Sequence, residues 1–370
     1  MKKTIVIIIV VLGIAALGSG VYFAWKNSKQ ILTPPSNGKS DSGVDYGVQE
    51  GVENKNGKLK IISGQPVFDY WAKASSTSGE AEFFYINQDG LISKIRNGAP
   101  EIVSYEPIKN LQAVKKSKDG KYALIKFGGS TNPDFSIFDT DNNIWEPLNG
   151  ATAADFSPDN KQIVYLENDG DLMIKNLNGS KQKATKIISI NQNDLDLSWL
   201  TKDRIFLVSK PSYQYTGEIW TVDVKTKKLN LFASGRGLMI GWSPDGERGL
   251  MFKSVNGRSY EMNLINKDGS ALAKIESIVL PEKCLILQSK MYCAVSQGHN
   301  FFNDPKLPDD YLKRAVYFKD AFYLFDMIGN SSELLFASNQ PVIDAFNLSL
   351  AGNRLLFINR YDDKLYALEL

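Results

Sequence analysis

The chain has 370 residues, with 43 Lys and Arg against 41 Asp and Glu, one histidine and two cysteines. A net charge of +2 gives no bulk electrostatic attraction to nucleic acid, so that partner class is excluded. One histidine and two cysteines are too few ligands for zinc chemistry or a histidine-rich metal lyase, and no metal or other cofactor is expected.

Met1-Lys2-Lys3 precedes Thr4–Trp25, a stretch without a charged side chain and dense in Ile and Val. Its length gives roughly 33 Å as a helix, enough for a bilayer core of about 30 Å. Residues 1–25 therefore predict a signal anchor, with the two lysines cytoplasmic and everything C-terminal to residue 25 extracytoplasmic. Small residues at Ala16–Gly20 allow a rival reading as a cleaved signal peptide. Residues 26–57 are rich in Ser, Gly, Asn, Lys and Pro; they cannot bury a core and predict a flexible linker spanning roughly 30 Å.

From residue 58 the pattern is β throughout. Asn56-Gly57 leads into Leu59–Ile62, a turn followed by one short strand. Then a motif recurs: Trp242-Ser243-Pro244-Asp245-Gly246 ahead of Leu250-Met251-Phe252, and Phe156-Ser157-Pro158-Asp159-Asn160 ahead of Ile163-Val164-Tyr165. Pro fits the first corner of a turn and Asp and Gly its second half, so each copy reads as a hairpin. Weaker copies turn at Ser117–Gly120, at Leu200–Lys202 and at Leu348–Gly352. Ser117 to Ser157 is 40 residues, Ser157 to Leu200 is 43, and Leu200 to Ser243 is 43. A period of about 40–45 residues with several short strands is that of a β-propeller blade. Ser243 to Ser349 is 106 residues, room for a hidden repeat turning near Gln288 and an enlarged one. Phe68–Ile86 supplies a hairpin upstream. The reading is an all-β, seven-bladed propeller over residues 58–370. The last blade has no fourth strand of its own, so Leu59–Ile62 is expected beside Leu365–Leu368, closing the ring and hiding two edges. Aromatics such as Tyr85, Phe127, Tyr165 and Phe357 are expected to pack between blades.

The hairpins at Trp242–Gly246 and Phe156–Asn160 resemble the bacterial WD40-like (PD40-type) repeat of TolB-like and dipeptidyl-peptidase-type propellers. The resemblance covers roughly residues 58–370 and implies a propeller and a habit of binding partners, not one activity.

A hairpin centred on Gln288-Ser289 places Cys284 opposite Cys293 at a non-hydrogen-bonded pair, within disulfide reach. An exported domain permits the bond; two buried thiols are the alternative. His299 is the one possible centre of a Ser-His-Asp triad, and no Gly-x-Ser-x-Gly elbow accompanies it. Asp309-Asp310 and Asp362-Asp363 are adjacent rather than facing, and read as solvated turns.

Loops between second and third strands open on one face of a propeller. Those of blades two and four are long, with Asn132 and Asp134 in one and Tyr213 and Tyr215 in the other. The largest runs from Gln297 to Tyr311 in blade six and holds His299, Asn300, Phe301, Phe302 and Asp304. Loops of that length in compact domains are commonly functional. These nine residues are the expected rim of a binding face. The alternative is that Phe301, Phe302 and Tyr311 only plug the loop onto its own blade. The expected function is a membrane-anchored extracytoplasmic scaffold meeting an envelope protein, peptide or glycan. A carbohydrate-processing enzyme of the envelope is the alternative.

Overall fold

Period-two alternation decides this fold, because each short strand must bury one row of side chains against the next sheet. The computed structural model describes residues 57–74, 81–96, 99–177, 183–192, 194–255, 259–277, 279–298, 305–329 and 331–370. Among them, seven four-stranded sheets follow one another along the chain. Apart from the short strand Leu59–Ile61, every strand pairs antiparallel with its sequence neighbour in the sheet, so the first six blades are meanders. This is a seven-bladed β-propeller. The segment Thr4–Trp25 and the linker 26–56 lie outside the described residues. Among the described residues, no helix is long and apolar enough to cross a membrane.

The first strands of neighbouring blades approach one another and line the axis. In blades 1 to 4 they are Val67–Ala74, Ala113–Lys116, Ala151–Phe156 and Leu195–Thr201. Blades 5 to 7 begin at Met239–Trp242, Cys284–Leu287 and Ala345–Ala351. Fourth strands face solvent; Leu229–Arg236 and Ala271–Ile275 are largely exposed.

The seventh sheet takes its outermost strand from the far end of the chain. Leu59 pairs with Leu368, Lys60 with Ala367 and Ile61 with Tyr366. The strand ends at Ile61, yet Ile62 still donates its N–H to the Leu365 carbonyl at 2.8 Å. Ring closure is thus the pairing expected from the sequence, one residue shorter as a strand.

The recurring turns share a hydrogen-bond scheme. In each, the serine hydroxyl donates to the aspartate two residues on: Ser117 to Asp119 at 2.6 Å, Ser157 to Asp159 at 2.7 Å, Ser243 to Asp245 at 2.5 Å. The same oxygen accepts the N–H that opens the next strand, from Tyr122, Gln162 and Arg248. The turn closes at a residue with positive φ: Gly120, Asn160 or Gly246. At Gly120 a side chain is also sterically barred, because a Cβ would lie 2.1 Å from the Ala72 carbonyl oxygen of blade 1.

Blades pack through apolar rows and rings. Phe322 of blade 6 meets Phe357 of blade 7 at 4.7 Å, Phe206 of blade 4 meets Trp242 of blade 5 at 5.1 Å, and Tyr122 meets Phe156 at 6.3 Å. Such pairs add about 0.5–1.5 kcal/mol each beyond area burial. Tyr85, Tyr165 and Phe357 are buried and Phe127 is partly buried, in the inter-blade clusters. In blade 6 the register sets Cys284 opposite Cys293, and the pair forms a disulfide with a Cα–Cα distance of 4.1 Å.

Candidate functional site

Blade 6 joins its second strand, Lys290–Ser296, to its third, Asp320–Asp326, through the longest insertion in the ring. Its base is pinned by Gln297 donating N–H to the Lys319 carbonyl at 2.7 Å. The described part, from Pro305, includes one helical turn, Asp309–Leu312. Rather than project from its own blade, it crosses the loop-rich face. Toward blade 4, Asp309 accepts the N–H of Tyr213. Toward blade 5, Ser254 donates to the Leu307 carbonyl at 2.8 Å and Tyr260 donates to the Pro305 carbonyl. Toward blade 7, Arg314 and Asp363 form a two-pronged pair at 2.6 and 2.9 Å. Leu307 and Tyr311 are buried among Leu280, Ile286, Met291 and Phe318.

Beneath the insertion lies a buried charge network. Lys283 donates to Asp320 at 2.7 Å and to Asp344 at 2.5 Å; the other Asp344 oxygen takes Arg360 at 2.8 Å. Backbone N–H groups of Phe318 and Ala345 add bonds to Asp344 and Asp320, and the second Asp320 oxygen is buried with no hydrogen-bond partner among the described residues. All four side chains are at most 5% exposed. Burial pushes the Asp320 pKa up to about 6 against the pull of Lys283. Burial also opposes the charge on Lys283, but Asp320 and Asp344 outweigh it and hold its pKa above the ordinary value. Arg360 donates to the Tyr311 carbonyl at 2.6 Å as well, so the network fastens the insertion to blade 7.

Two adjacent lysines cross the axis. Neighbouring residues on a strand point to opposite faces, and Lys115 and Lys116 of blade 2 do so. Lys115 reaches Asp196 of blade 4 at 2.6 Å and the Leu197 carbonyl, bypassing blade 3, a path available only through the middle of the ring. Lys116 turns the other way, to the Tyr70 carbonyl at 2.8 Å, to Asp69 of blade 1 at 3.2 Å and to Asn347 of blade 7 at 3.2 Å.

Above the Lys116 bridge sits a cavity of about 560 Å³. Phe68, Phe346 and Leu312 supply apolar wall, and Gln88 and Gln112 supply amides. Asp69, Glu282, Asp363, Arg314 and Arg360 supply charge, and Tyr311 closes one side. Its volume falls within the range of small-molecule and peptide-side-chain pockets. Asp69 is shared between the cavity wall and the Lys116 bridge. Burial raises the Glu282 pKa, with the positive charges of Arg360 and Lys283 acting against it and Asp344 reinforcing it. Among the described residues, no group of three or more His, Cys, Asp and Glu side chains is arranged to hold a metal.

The residues expected to form the rim are distributed as follows. Asn132 and Asp134 are exposed at the entry to the third strand of blade 2, and Tyr215 is 72% exposed in the blade 4 loop. Tyr213 is partly buried and tied to the insertion through Asp309. None of these four lines the cavity. His299, Asn300, Phe301, Phe302 and Asp304 lie outside the described residues. Tyr311 follows the plug reading, but it plugs toward blade 7 as well as its own blade. Sequence reasoning missed Asp69, Glu282, Arg314 and Arg360. The signal available for three of them was position, since charges flanking a strand at the loop-rich end must meet the axis or its mouth.

No protein-family model and no curated protein matches the chain. Among solved structures, the β-propeller domain of Cps50 (Swd1) from Myceliophteria thermophila superposes with a TM-score of 0.54 at 10% identity, over 84% of this chain and 99% of that one. The likeness is one of fold alone. The tricorn protease gives 0.49 at 12% identity over 82% of this chain, which spans only 34% of the protease's length. TolB from Acinetobacter baumannii gives 0.38 at 16% identity, over 54% of this chain and 52% of that one.

Proposed function

We propose that this chain is an envelope-tethered propeller that binds a protein, peptide or glycan partner at its loop-rich face. The observation that carries the reading is the cavity at the channel mouth. The blade 6 insertion walls it through Tyr311, Leu312 and Arg314, and the Lys116 bridge holds Asp69 of its wall. A ring that spends its longest loop on covering one end, and leaves a 560 Å³ recess there, is built to receive something at that end. The uncharged run Thr4–Trp25 supports a tether in the cytoplasmic membrane, with residues 26–57 as a spacer. Binding rather than catalysis is the reading because the acids of the cavity, Glu282 aside, are engaged with bases. Asp69 is held by Lys116, and Asp363 by Arg314.

The test is site-specific photocrosslinking in intact cells of the source organism. A photoreactive residue at Leu312, 44% exposed on the cavity wall, is compared with one at exposed Lys202 on the opposite face. Adducts from position 312 and not 202, in a membrane fraction that loses the protein when residues 1–25 are deleted, are the expected result. Equal labelling from both positions, or from 202 alone, overturns the choice of face.

A further inference from the structure

The charges around the cavity do not balance. Five carboxylates belong to the wall and its ion-pair partners: Asp69, Glu282, Asp363, Asp344 and Asp320. Four bases oppose them: Lys116, Arg314, Arg360 and Lys283. Every base has its acid. Lys116 holds Asp69, Arg314 holds Asp363, Arg360 holds Asp344, and Lys283 holds Asp320 and shares Asp344. Glu282 alone is left over: among the described residues its carboxylate meets no base within ion-pair distance and accepts no hydrogen bond, although it lines the cavity and is partly buried. Arg360 and Lys283 act on this carboxylate only from beyond ion-pair distance; a partly buried carboxylate with no direct partner is costly, and a ligand cation is the direct way to relieve it.

The surroundings narrow the choice. Phe68 and Phe346 offer apolar surface to an alkyl stem; the Gln112 amide nitrogen is held by the Gly128 and Gly129 carbonyls and that of Gln88 by the Val67 carbonyl, which leaves their amide oxygens as acceptors for backbone N–H groups of an extended chain. We infer that the cavity recognises a single protonated amine carried on an alkyl stem, a lysine side chain of a partner peptide, with Glu282 as the residue that selects it. This rests on the partner-face reading above and names the chemistry of that partner.

The test uses the exported domain, residues 57–370, with the tripeptide N-acetyl-Ala-Lys-Ala-amide as probe and titration calorimetry as readout. The controls are the same peptide with norleucine for lysine, and glucosamine, an amine without a peptide chain. The expected result is binding of the lysine peptide in the millimolar range usual for a fragment of this size. The norleucine peptide and the Glu282→Gln variant should each bind at least tenfold more weakly. Glu282→Gln is expected to melt no lower than the parent, since the carboxylate makes no ion pair or hydrogen bond among the described residues, so loss of binding does not reflect unfolding. Equal affinity for lysine and norleucine peptides, or unchanged affinity in Glu282→Gln, overturns the inference. Glu282-dependent binding of glucosamine but not of the lysine peptide overturns the peptide source. Crosslinks from position 312 that persist undiminished in Glu282→Gln cells, together with no amine preference, sink this inference and leave the partner face standing.

Discussion

The guanidinium carbon of Arg360, in blade 7, lies 3.6 Å from the centroid of the Tyr311 ring, in the blade 6 insertion. The same guanidinium bonds Asp344 and the Tyr311 carbonyl, and the far side of the network presents Lys283 at 5.2 Å from that ring. The insertion is therefore seated on a cation and a ring stack as much as on apolar contact. Arg360→Ala is expected to cost about 3–5 kcal/mol, because it leaves Asp344 short of a partner in a dry site. Tyr311→Phe should be neutral or slightly stabilising, by up to about 1 kcal/mol, since the buried hydroxyl has no hydrogen-bond partner among the described residues. Urea denaturation of the two variants checks both. A substantial loss in Tyr311→Phe would mean that the hydroxyl is bonded after all.

Two lysines that each bridge carboxylates across blades should respond very differently to the same change. Lys283 and its partners Asp320 and Asp344 have side chains no more than 1% exposed, whereas Lys115 and Asp196 are 25% and 63% exposed. Lys283→Met should cost about 3–5 kcal/mol by leaving buried Asp320 without a base and Asp344 with Arg360 alone. Lys115→Met should cost under about 1 kcal/mol, because water can replace the lost charge. Denaturant midpoints of the pair settle it, and similar costs would show that the axis is drier around Lys115 than its exposure indicates.

These two networks also mark where the sequence stopped being informative. The architecture was legible because turn chemistry is local: Ser243, Asp245 and Gly246 bond one another within four residues, so their pattern survives in the linear chain. Ring closure followed from the missing fourth strand of the last blade, and the Cys284–Cys293 pairing from counting outward from a turn. Nothing local distinguishes Lys283 from a surface lysine. Its partners sit 37 and 61 residues away, and only the circular arrangement brings blade 6 against blade 7. Glu282 is hidden for the same reason. The long insertion was visible by length, but its direction across blades 4, 5 and 7 depends on Ser254, Asp363 and Arg360, each an ordinary residue in its own strand or turn.

The turn aspartates predict a specific acid response. Hydrogen bonds from Ser157 and Ser243 are the main reason that Asp159 and Asp245 titrate below the usual carboxylate range, with the N–H groups of Lys161 and Glu247 adding to the effect. A carboxyl with a depressed folded pKa contributes stability above its unfolded value of about 3.9, and that contribution is lost as pH falls through the folded pKa. Asp245→Asn should therefore melt below the parent at pH 7. The gap should narrow as pH drops below about 4. Melting curves from pH 7 to 2.5 test it; a gap independent of pH would assign the loss to turn geometry instead of charge.

The blade 6 hairpin carries the disulfide where apolar cover is thin, since Cys284 is only partly buried. Closing so short a loop is worth about 2–3 kcal/mol by restricting the unfolded chain. Cys284→Ser with Cys293→Ser should lower stability by about that amount and make the protein insensitive to reductant. The parent should show no titratable thiol until unfolded and reduced. Thiol titration and melting with and without dithiothreitol check this, and free thiols on native protein isolated without reductant would refute it.

Closure of the ring makes the strongest demand on the termini. Leu59 packs against Leu355 and Leu368, and the strand Leu59–Ile61 covers the edge formed by Tyr366, Ala367 and Leu368. Further bonds run from Ile62 to Leu365 and from Glu369 to Lys58. A chain starting at residue 57 keeps all of these and should melt like the full-length protein's propeller. A chain starting at Gln65 loses them, at roughly 1 kcal/mol per hydrogen bond and about 2 kcal/mol for the leucine. It should melt about 10 °C lower and self-associate through the bared edge. A synthetic peptide of residues 57–66 supplied in trans should restore the melting temperature, because an open sheet edge accepts an added strand. Failure of that rescue, with the truncated chain otherwise monomeric and equally stable, would show that the ring holds without its closing strand.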